Sequence, residues 1–541
     1  MTLARSVADV LNNHVTLELA CIDRMYLNLY VPPLQRPNGV AAFFRGQRQA
    51  LFASSALMAP MTRDFVASIE RFVKEQHLPL VTFKKGQRKD DVAAEYVRAI
   101  QGREGLLFVG KAQEKANVCR TEKRRNPRTG QVYPWIVRSS ALVNQYYWYA
   151  IDDDFGPFFL KFCSYFPYTA KLYLNGHEYL KRQLAKEGIA FQALDNGLLS
   201  CADPARMQAI ADELSPHHIQ RLAAKWLARL PQPFSDADRE AGYHYDLSIL
   251  QAEFALTQVV DRPLTGRVFF EEVIRENLDL GRPKQVQLIF DRRVTKRTPG
   301  RFRTRVLTEG VTPSLHVSYK HADIKQYFKA AAAGLAGRAI RTELTVNDTN
   351  DFHIGKRLPN LPRLREVAFA AVRRMVQVER LSHDCAIGED GLNRIIRPLE
   401  VNGQRAPALR FPDPRVQALF SVLVLFSLLP TGFAVHELRA ALAPLLGWDP
   451  SHMTQGQLSY DLRRLRLHGL IARLPRSHRY QVTDSGRRSA LLLSRIYARA
   501  LRPSLSDILP QAPPGPSRLR PLFDQLSTAI DRHLQEAHLA A

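Results

Sequence analysis

The chain has 541 residues, 45% hydrophobic and 24% charged, and its 76 Lys and Arg outnumber 52 Asp and Glu for a formal charge of +24. That length holds about three or four domains of ~150 residues. Interspersed charge and apolar content exclude a disordered basic tail, and the surplus of cations draws in polyanions with strong salt dependence.

Cys21, Cys119, Cys163, Cys201 and Cys385 are isolated, without the spacing of a zinc knuckle or a disulfide framework. The N-terminal stretch lacks a charged-then-apolar signal pattern. The most apolar run, 416–430, is shorter than the ~20 residues of a spanning helix. The expectation is a soluble, cytoplasmic protein with no membrane partner.

A short helix opens residues 1–20, and a strand over 25–31 is stopped by Pro32-Pro33, with Asp23-Arg24 just before it. A helix near 61–76, the strand 78–83, a helix over 91–100 and the strand 105–110 form a β-α-β pattern, so the two strands are expected to be parallel neighbours. Ligands in such sheets sit beyond the carboxyl ends of strands. There Lys84, Lys85, Arg88, Lys89, Asp90 and Asp91 follow one strand, and Lys111, Glu114 and Lys115 the other. These loops can hold phosphate on the cations or a metal on Asp91 and Glu114. Equally, Asp90 and Asp91 cap the helix and the lysines stay solvated. Gly86 lacks the following Gly-Lys-Ser/Thr of a Walker motif.

Residues 119–138 read as a basic hairpin carrying Arg124 and Arg125. A hydrophobic strand then runs into Asp153-Asp154, a second strand and a hairpin partner follow, and a helix starts at His177-Glu178. This order resembles the opening of an RNase H-like fold. The resemblance implies that Asp153, with Asp195, seats metal ions. An acidic turn between strands is also ordinary turn chemistry, and His177 reads as a helix-start residue.

Residues 203–229 are helical, and Leu230 to Phe234 marks a boundary. Helices are expected near 245–260, carrying Asp246 and Glu253, and near 268–277, carrying Glu271 and Glu272. From 282 a strand and a hairpin turning at Thr298-Pro299-Gly300 carry Arg292, Arg293, Lys296, Arg297, Arg301 and Arg303, with much of that charge expected on one sheet face, which fits a phosphate backbone. A solvated outer face has a similar pattern.

Two further strands run through Tyr319 and Lys320 and, beyond a small-residue insertion, through Arg341 and Glu343. Together they resemble the Y-x-K … R-x-E strand pair of rolling-circle replication initiators, in which a tyrosine attacks a DNA phosphate polarised by a carboxylate-held metal. The resemblance implies Tyr319 or Tyr327 as nucleophile, Glu343 and Asp23 as ligands of Mg²⁺ or Mn²⁺, and Lys320, Lys325 and Lys329 as phosphate contacts. The His-hydrophobic-His motif of those families is missing, His316 and His321 being too far apart for it. The other reading is a hairpin whose Tyr and Lys side chains line a binding groove.

An amphipathic helix over 363–380 carries Arg363, Arg365, Arg373 and Arg374. Segments 415–429 and 434–446 are helical. In a third helix from Thr454, Leu458, Leu462 and Leu465 recur on one side while Arg463 and Arg466 fall on another, with Arg464 flanking, and Gly469 ends it. Two short strands follow, joined by the turn Pro475-Arg476-Ser477-His478, and a closing helix spans 486–501. This resembles the recognition helix and wing of winged helix-turn-helix proteins. It implies nucleic-acid contacts through Arg463, Arg464, Arg466, Arg473, Arg476 and Arg479. Beyond Arg502 a proline-rich spacer tethers an amphipathic helix over 519–537, which docks on the body or forms a homodimer.

The expectation is a multidomain mixed α/β (α+β) protein, with domains at 1–230, 231–400, 401–503 and 504–541. Its expected partner is DNA or structured RNA. The candidate functions are an initiator- or transposase-like strand nickase, a non-catalytic regulator or component of an RNA–protein particle, and an RNase H-like nuclease. As a whole the chain is similar to a group of bacterial proteins, a resemblance that implies no activity.

Overall fold

A computed structural model of the chain describes residues 6–84, 86–99, 103–194, 196–278, 303–307, 314–319, 322–329, 338–383, 387–427, 429 and 431–497, with isolated positions beyond. It divides into two units, residues 1–274 with 283–373, and residues 275–282 with 374–541.

The first unit begins with α1 (Val7–Asn13), capped by the Ser6 side chain, and the long strand β1 (Val15–Tyr30). Helices α2 (Pro37–Arg48) and α3 (Ser55–Glu75) follow. β2 (Leu80–Thr82), α4 (Lys89–Ala99) and β3 (Gly105–Arg125) form the expected β-α-β unit with β2 and β3 parallel. β3 turns at Asn126–Gly130 into β4 (Val132–Asp152), and each arm of this hairpin is 21 residues long. β5 (Gly156–Cys163) and β6 (Ala170–Asn175) continue the antiparallel run. Then come α5 (Gly176–Lys186), the small hairpin β7 (Phe191–Leu194) and β8 (Gly197–Cys201), and helices α6 (Pro204–Glu213), α7 (Pro216–Arg229) and α8 (Asp236–Glu240).

β9 (Asp246–Val260) follows, where a helix was expected. It lies between β1 and the later strand β13 (Ala339–Val346) and has both faces buried over its second half. An apolar run covered on two sides loses the alternation that marks a half-exposed strand, so it mimics a buried helix in sequence. After α9 (Pro263–Leu278) come β10 (Arg303–Leu307), β11 (Ser314–Tyr319), β12 (Ala322–Lys329), β13 (Ala339–Val346) and α10 (Leu361–His383).

Among the described residues one eleven-stranded sheet results, in the order β10-β11-β12-β13-β9-β1-β6-β5-β4-β3-β2. β9 pairs with β1 across the boundary expected at residue 230, and a single sheet runs through both stretches. Leu27, Leu29, Leu160, Phe162, Leu172 and Leu174 are fully buried on one face, where Phe65 of α3 meets Phe162. Their alternating neighbours on β1, β5 and β6 are half-buried, leaving the other face more open.

The second unit holds α11 (Gly388–Ile396), the hairpin β14 (Leu399–Val401) and β15 (Gln404–Ala406), α12 (Pro414–Phe426) and α13 (Val435–Leu445). α14 (Gln455–Leu467) has a capping box from Thr454 and Gln457, and the hairpin β16 (Ile471–Arg473) and β17 (Tyr480–Val482) leads to α15 (Asp484–Ile496). Leu458, Leu462 and Leu465 are buried, as their helical spacing requires. A β-bridge from Phe433 to Tyr480 ties the α12–α13 connection to the hairpin. It needs glycine at 432, where φ is +65° and a Cβ would lie 2.2 Å from the Tyr480 carbonyl oxygen. Asp461 of α14 is buried against Arg415 of α12 at 2.7 Å.

Among the described residues no helix is long and apolar enough to cross a membrane. The hairpin tip at Thr298–Gly300 and the helix expected over 519–537, apart from isolated positions, lie outside the described residues.

A tight approach sets the start of α5. A Cβ on Gly176 would stand 2.1 Å from the Ile22 carbonyl oxygen of β1, whereas one on Gly46, exposed in α2, meets nothing within 4 Å. Gly176→Ala is therefore expected to cost about 1–3 kcal/mol through forced backbone displacement. Gly46→Ala should gain up to about 1 kcal/mol from helix propensity. Thermal unfolding of the two variants against wild type checks the contrast.

Candidate functional site

Strand register assembles a buried polar cluster from distant parts of the first unit. On β13, Arg341 and Glu343 are two residues apart and share a face. Arg341 pairs across the sheet with Tyr327 of β12 and Thr257 of β9. An irregularity in the β1–β9 pairing between Ile22 and Met25 turns Asp23 into the same place. The close approach at Gly176 then brings His177, the second residue of α5, against it.

Arg341 is 0% exposed and organises the group. Its Nη2 donates to Asp23 Oδ2 at 2.6 Å and lies 3.2 Å from His177 Nε2. Because a guanidinium only donates, that imidazole nitrogen is the acceptor. Arg341 Nε donates to Glu343 Oε1, and Nη1 donates to the Asn196 carbonyl oxygen on the β7–β8 turn. Asn196 also donates its amide to Asp23 Oδ1. Tyr327 donates its hydroxyl to Glu343 Oε1 at 2.7 Å, and Lys325 Nζ stands 4.8 Å from the Tyr327 ring centre.

The electrostatics follow from this packing. Burial alone would raise the Asp23 carboxyl, but Arg341 and the Asn196 amide hold it below the usual carboxylate range. Burial and the neighbouring Glu343 charge push the Tyr327 phenol well above its ordinary value, so it is protonated at neutral pH. Glu253 of β9 is raised to about 7 by burial and then by the Asp23 charge, with Arg24 opposing at 4.0 Å.

Three of the sequence candidates, Asp23, Tyr327 and Glu343, thus meet in one place. Tyr319 does not join them. It pairs with Ala322 at the tip of the β11–β12 hairpin, whereas Tyr327 pairs with Ser314 at the other end of β11. That separation is five residues of strand, about 17 Å. Asp153 is exposed on the β4–β5 turn, three strands from β1, and its amide donates to Glu104. Asp91 is exposed and lies 3.9 Å from Arg88. Glu114 accepts from Lys89, Lys161 and Tyr147. Although burial opposes it, these donors hold Glu114 down to about 2.

Of the remaining cations in this unit, Lys84 is exposed, Arg124 lies over Trp135, and Arg125 ends β3. Arg303 opens β10 and Lys329 ends β12. Lys85, Asp195, Arg292, Arg293, Lys296, Arg297, Arg301 and Lys320 lie outside the described residues. In the second unit Arg463, Arg466, Arg473 and Arg476 are exposed. Arg464 is buried and donates to the Ala408 carbonyl, and Arg479 is bound to Glu437 and to the Thr431 and Gly432 carbonyls.

The residues present do not fit Mg²⁺ or Mn²⁺ in this arrangement. A hard cation needs free carboxylate oxygens. Here both Asp23 oxygens are engaged by donors and Arg341 spans the gap to Glu343. Among the described residues no group of three or more His, Cys, Asp and Glu is placed to hold a metal ion. Sequence reasoning gave no role to Arg341, Glu253 or Asn196 and read His177 as a helix start. The one available signal was the i, i+2 spacing of Arg341 and Glu343.

Removing the central cation leaves buried carboxylates without compensation. Arg341→Met is expected to cost about 3–5 kcal/mol by denaturant unfolding. The pH dependence of Glu253 has a definite sign. Its folded pKa lies above the ordinary value, so its contribution to stability declines as pH rises from about 4.5 through about 7. Glu253→Gln, which cannot ionise, should match wild type near pH 4 and exceed it by about 1–3 kcal/mol at pH 8. Unfolding midpoints at the two pH values decide it. Comparison of the chain with protein-family models, curated proteins and solved structures returned no match, so the reading of this cluster rests on its own geometry.

Proposed function

We propose that the protein binds nucleic acid and nicks a strand of it, with Tyr327 as nucleophile and Glu343 as its base. The hydrogen bond from Tyr327 to Glu343, 2.7 Å long, carries this reading. A phenol that burial keeps protonated needs an adjacent base, and the carboxylate within reach is that of a β13 residue next to a fixed guanidinium. The phenol oxygen attacks phosphorus and its proton passes to Glu343. The bond to the 3′ oxygen breaks, that oxygen takes a proton from water, and the 5′ phosphate stays on Tyr327. Lys325, beside the ring, offsets charge on the phosphoryl oxygens. Arg341 is a positioning residue, since its donors are directed to Asp23, Glu343 and Asn196. No step is routed through a metal.

In this reading the second unit is a winged helix. Three helices, the Phe433–Tyr480 bridge and the β16–β17 hairpin support it, with exposed Arg463 and Arg466 on α14 and Arg473 and Arg476 on the hairpin as the nucleic-acid contacts. Arg464 and Arg479 then serve the fold. A non-catalytic reading, as a regulator or a component of an RNA–protein particle, has its own observation in favour: Arg341 is paired with both carboxylates and so makes a structural clamp.

Incubation of the full chain with single-stranded and hairpin DNA and RNA, in Mg²⁺, Mn²⁺ or EDTA, separates the two. A covalent phosphotyrosyl adduct is expected on a denaturing gel, lost in Tyr327→Phe and kept in Tyr319→Phe, with Glu343→Gln slower by about 10²–10⁴-fold. Binding without any adduct in wild type sinks the nickase and leaves the non-catalytic protein.

A further inference from the structure

The more open face of the large sheet carries two cross-strand rows that none of the preceding assignments uses. In one row, Tyr26 of β1 is paired with Tyr173 of β6, Tyr173 with Phe159 of β5, and Phe159 with Tyr149 of β4. The rings touch in sequence, with centroids at 4.9, 5.0 and 5.3 Å. The second row lies two residues along each strand, about 7 Å away. There Asn28 is paired with Lys171 and Lys171 with Lys161.

The polar row forms the floor of a cleft of about 660 Å³. Lys115, Arg138, Lys161 and Lys171 line it, and none of its lining residues is Asp or Glu. Glu114 beside it holds Lys161 and Lys89, a local excess of one positive charge. Uncharged donors and acceptors, among them Asn28, Gln145 and Ser248, line the same space. A concave site with cations, neutral hydrogen-bonding groups and no carboxylate is built for an anion that also carries polar edges. Tyr26, Tyr173 and Phe159 are half-buried beside it, as stacking platforms are.

We infer that this cleft and its aromatic row bind a single-stranded segment of nucleic acid, phosphates on the lysine row and bases on the rings. A duplex keeps its base faces to itself and has no use for an aromatic row. β12 lies three strand spacings from β1, about 14 Å across the sheet, and the row of Tyr327 crosses β1 at Leu19, seven residues along the strand from Tyr26. The cleft is therefore a binding site apart from the chemistry on the same sheet. This inference rests on the nucleic-acid reading above but not on nicking.

The test uses the full chain and a 5′-labelled oligothymidylate, with fluorescence anisotropy over a salt series and a blunt duplex of equal length alongside. Lys115→Gln/Arg138→Gln/Lys171→Gln is expected to weaken single-strand binding at least tenfold. It should also flatten the log K against log salt slope by about 0.7 for each phosphate that is no longer neutralised, with duplex binding unchanged. Tyr26→Leu should weaken single-strand binding about tenfold with an unchanged slope. If the triple variant misfolds by circular dichroism, Lys115→Gln alone reads the same slope. Equal affinity and slope in folded variants overturn the inference, as does inorganic phosphate competing as well as the oligonucleotide. An adduct-free wild type whose variants still show this weakening keeps the cleft and removes only the nickase.

Discussion

Arg341 is a guanidinium with no surface in water, and taking such an ion out of solvent costs several kcal/mol unless the protein answers its donors. Asp23, Glu343, the Asn196 carbonyl and His177 Nε2 supply those answers. Each comes from a different local device: a pairing irregularity in β1, the strand period of β13, the β7–β8 turn and the glycine start of α5. The cluster therefore constrains the middle of the sheet. A register slip of one residue in β13 would send Arg341 and Glu343 together to the opposite face, leaving Asp23 without its cation and Tyr327 without its acceptor. Residues 318 positions apart in sequence are held in one hydrogen bond by that requirement.

The rest of the sheet divides its faces around this point. One side is sealed by aliphatic and aromatic packing, as where Phe65 meets Phe162 and Phe369 meets Phe254. The other carries polar and aromatic rows, partly covered where Tyr96 and Val92 of α4 pack on Phe108 and Tyr149. Glu114 shows how cations are managed on that side. It gathers two lysines and a tyrosine, so the ammonium groups stand at set positions instead of repelling one another.

Much of the order of elements was legible. The β2-α4-β3 unit, the β3–β4 hairpin and the three helices with hairpin of the second unit follow from local periodicity and caps, which need no knowledge of partners. β9 was not legible, because its apolar run is covered on both faces and local pattern cannot say by what. Asp23, Tyr327 and Glu343 were singled out by residue type and by the strand-pair resemblance, yet Arg341 received no role. Nothing local reveals that its charge is spent inside the protein. The same limit applies to Arg464 and Arg479, which look like surface cations in a basic helix and hairpin but are tied to main-chain carbonyls. An arginine's function depends on what its donors meet, and tertiary contacts decide that.

Charge around Tyr327 bears on how an anion can approach it. Two guanidiniums, Arg24 and Arg341, face three carboxylates, Asp23, Glu253 and Glu343. With Lys325 counted beside them, the six groups sum to one positive charge when Glu253 is protonated and to zero when it is ionised, so ionisation removes the net attraction for phosphate. Its value of about 7 places this change in the neutral range. A phosphate drawn toward Lys325 would raise Glu253 further, since a like charge disfavours ionisation, so anion binding there would be coupled to proton uptake. The coupling is local. The cleft lined by Lys115, Arg138 and Lys171 has no Asp or Glu among its lining residues, so Glu253 belongs to the surroundings of Tyr327 and not to the cleft.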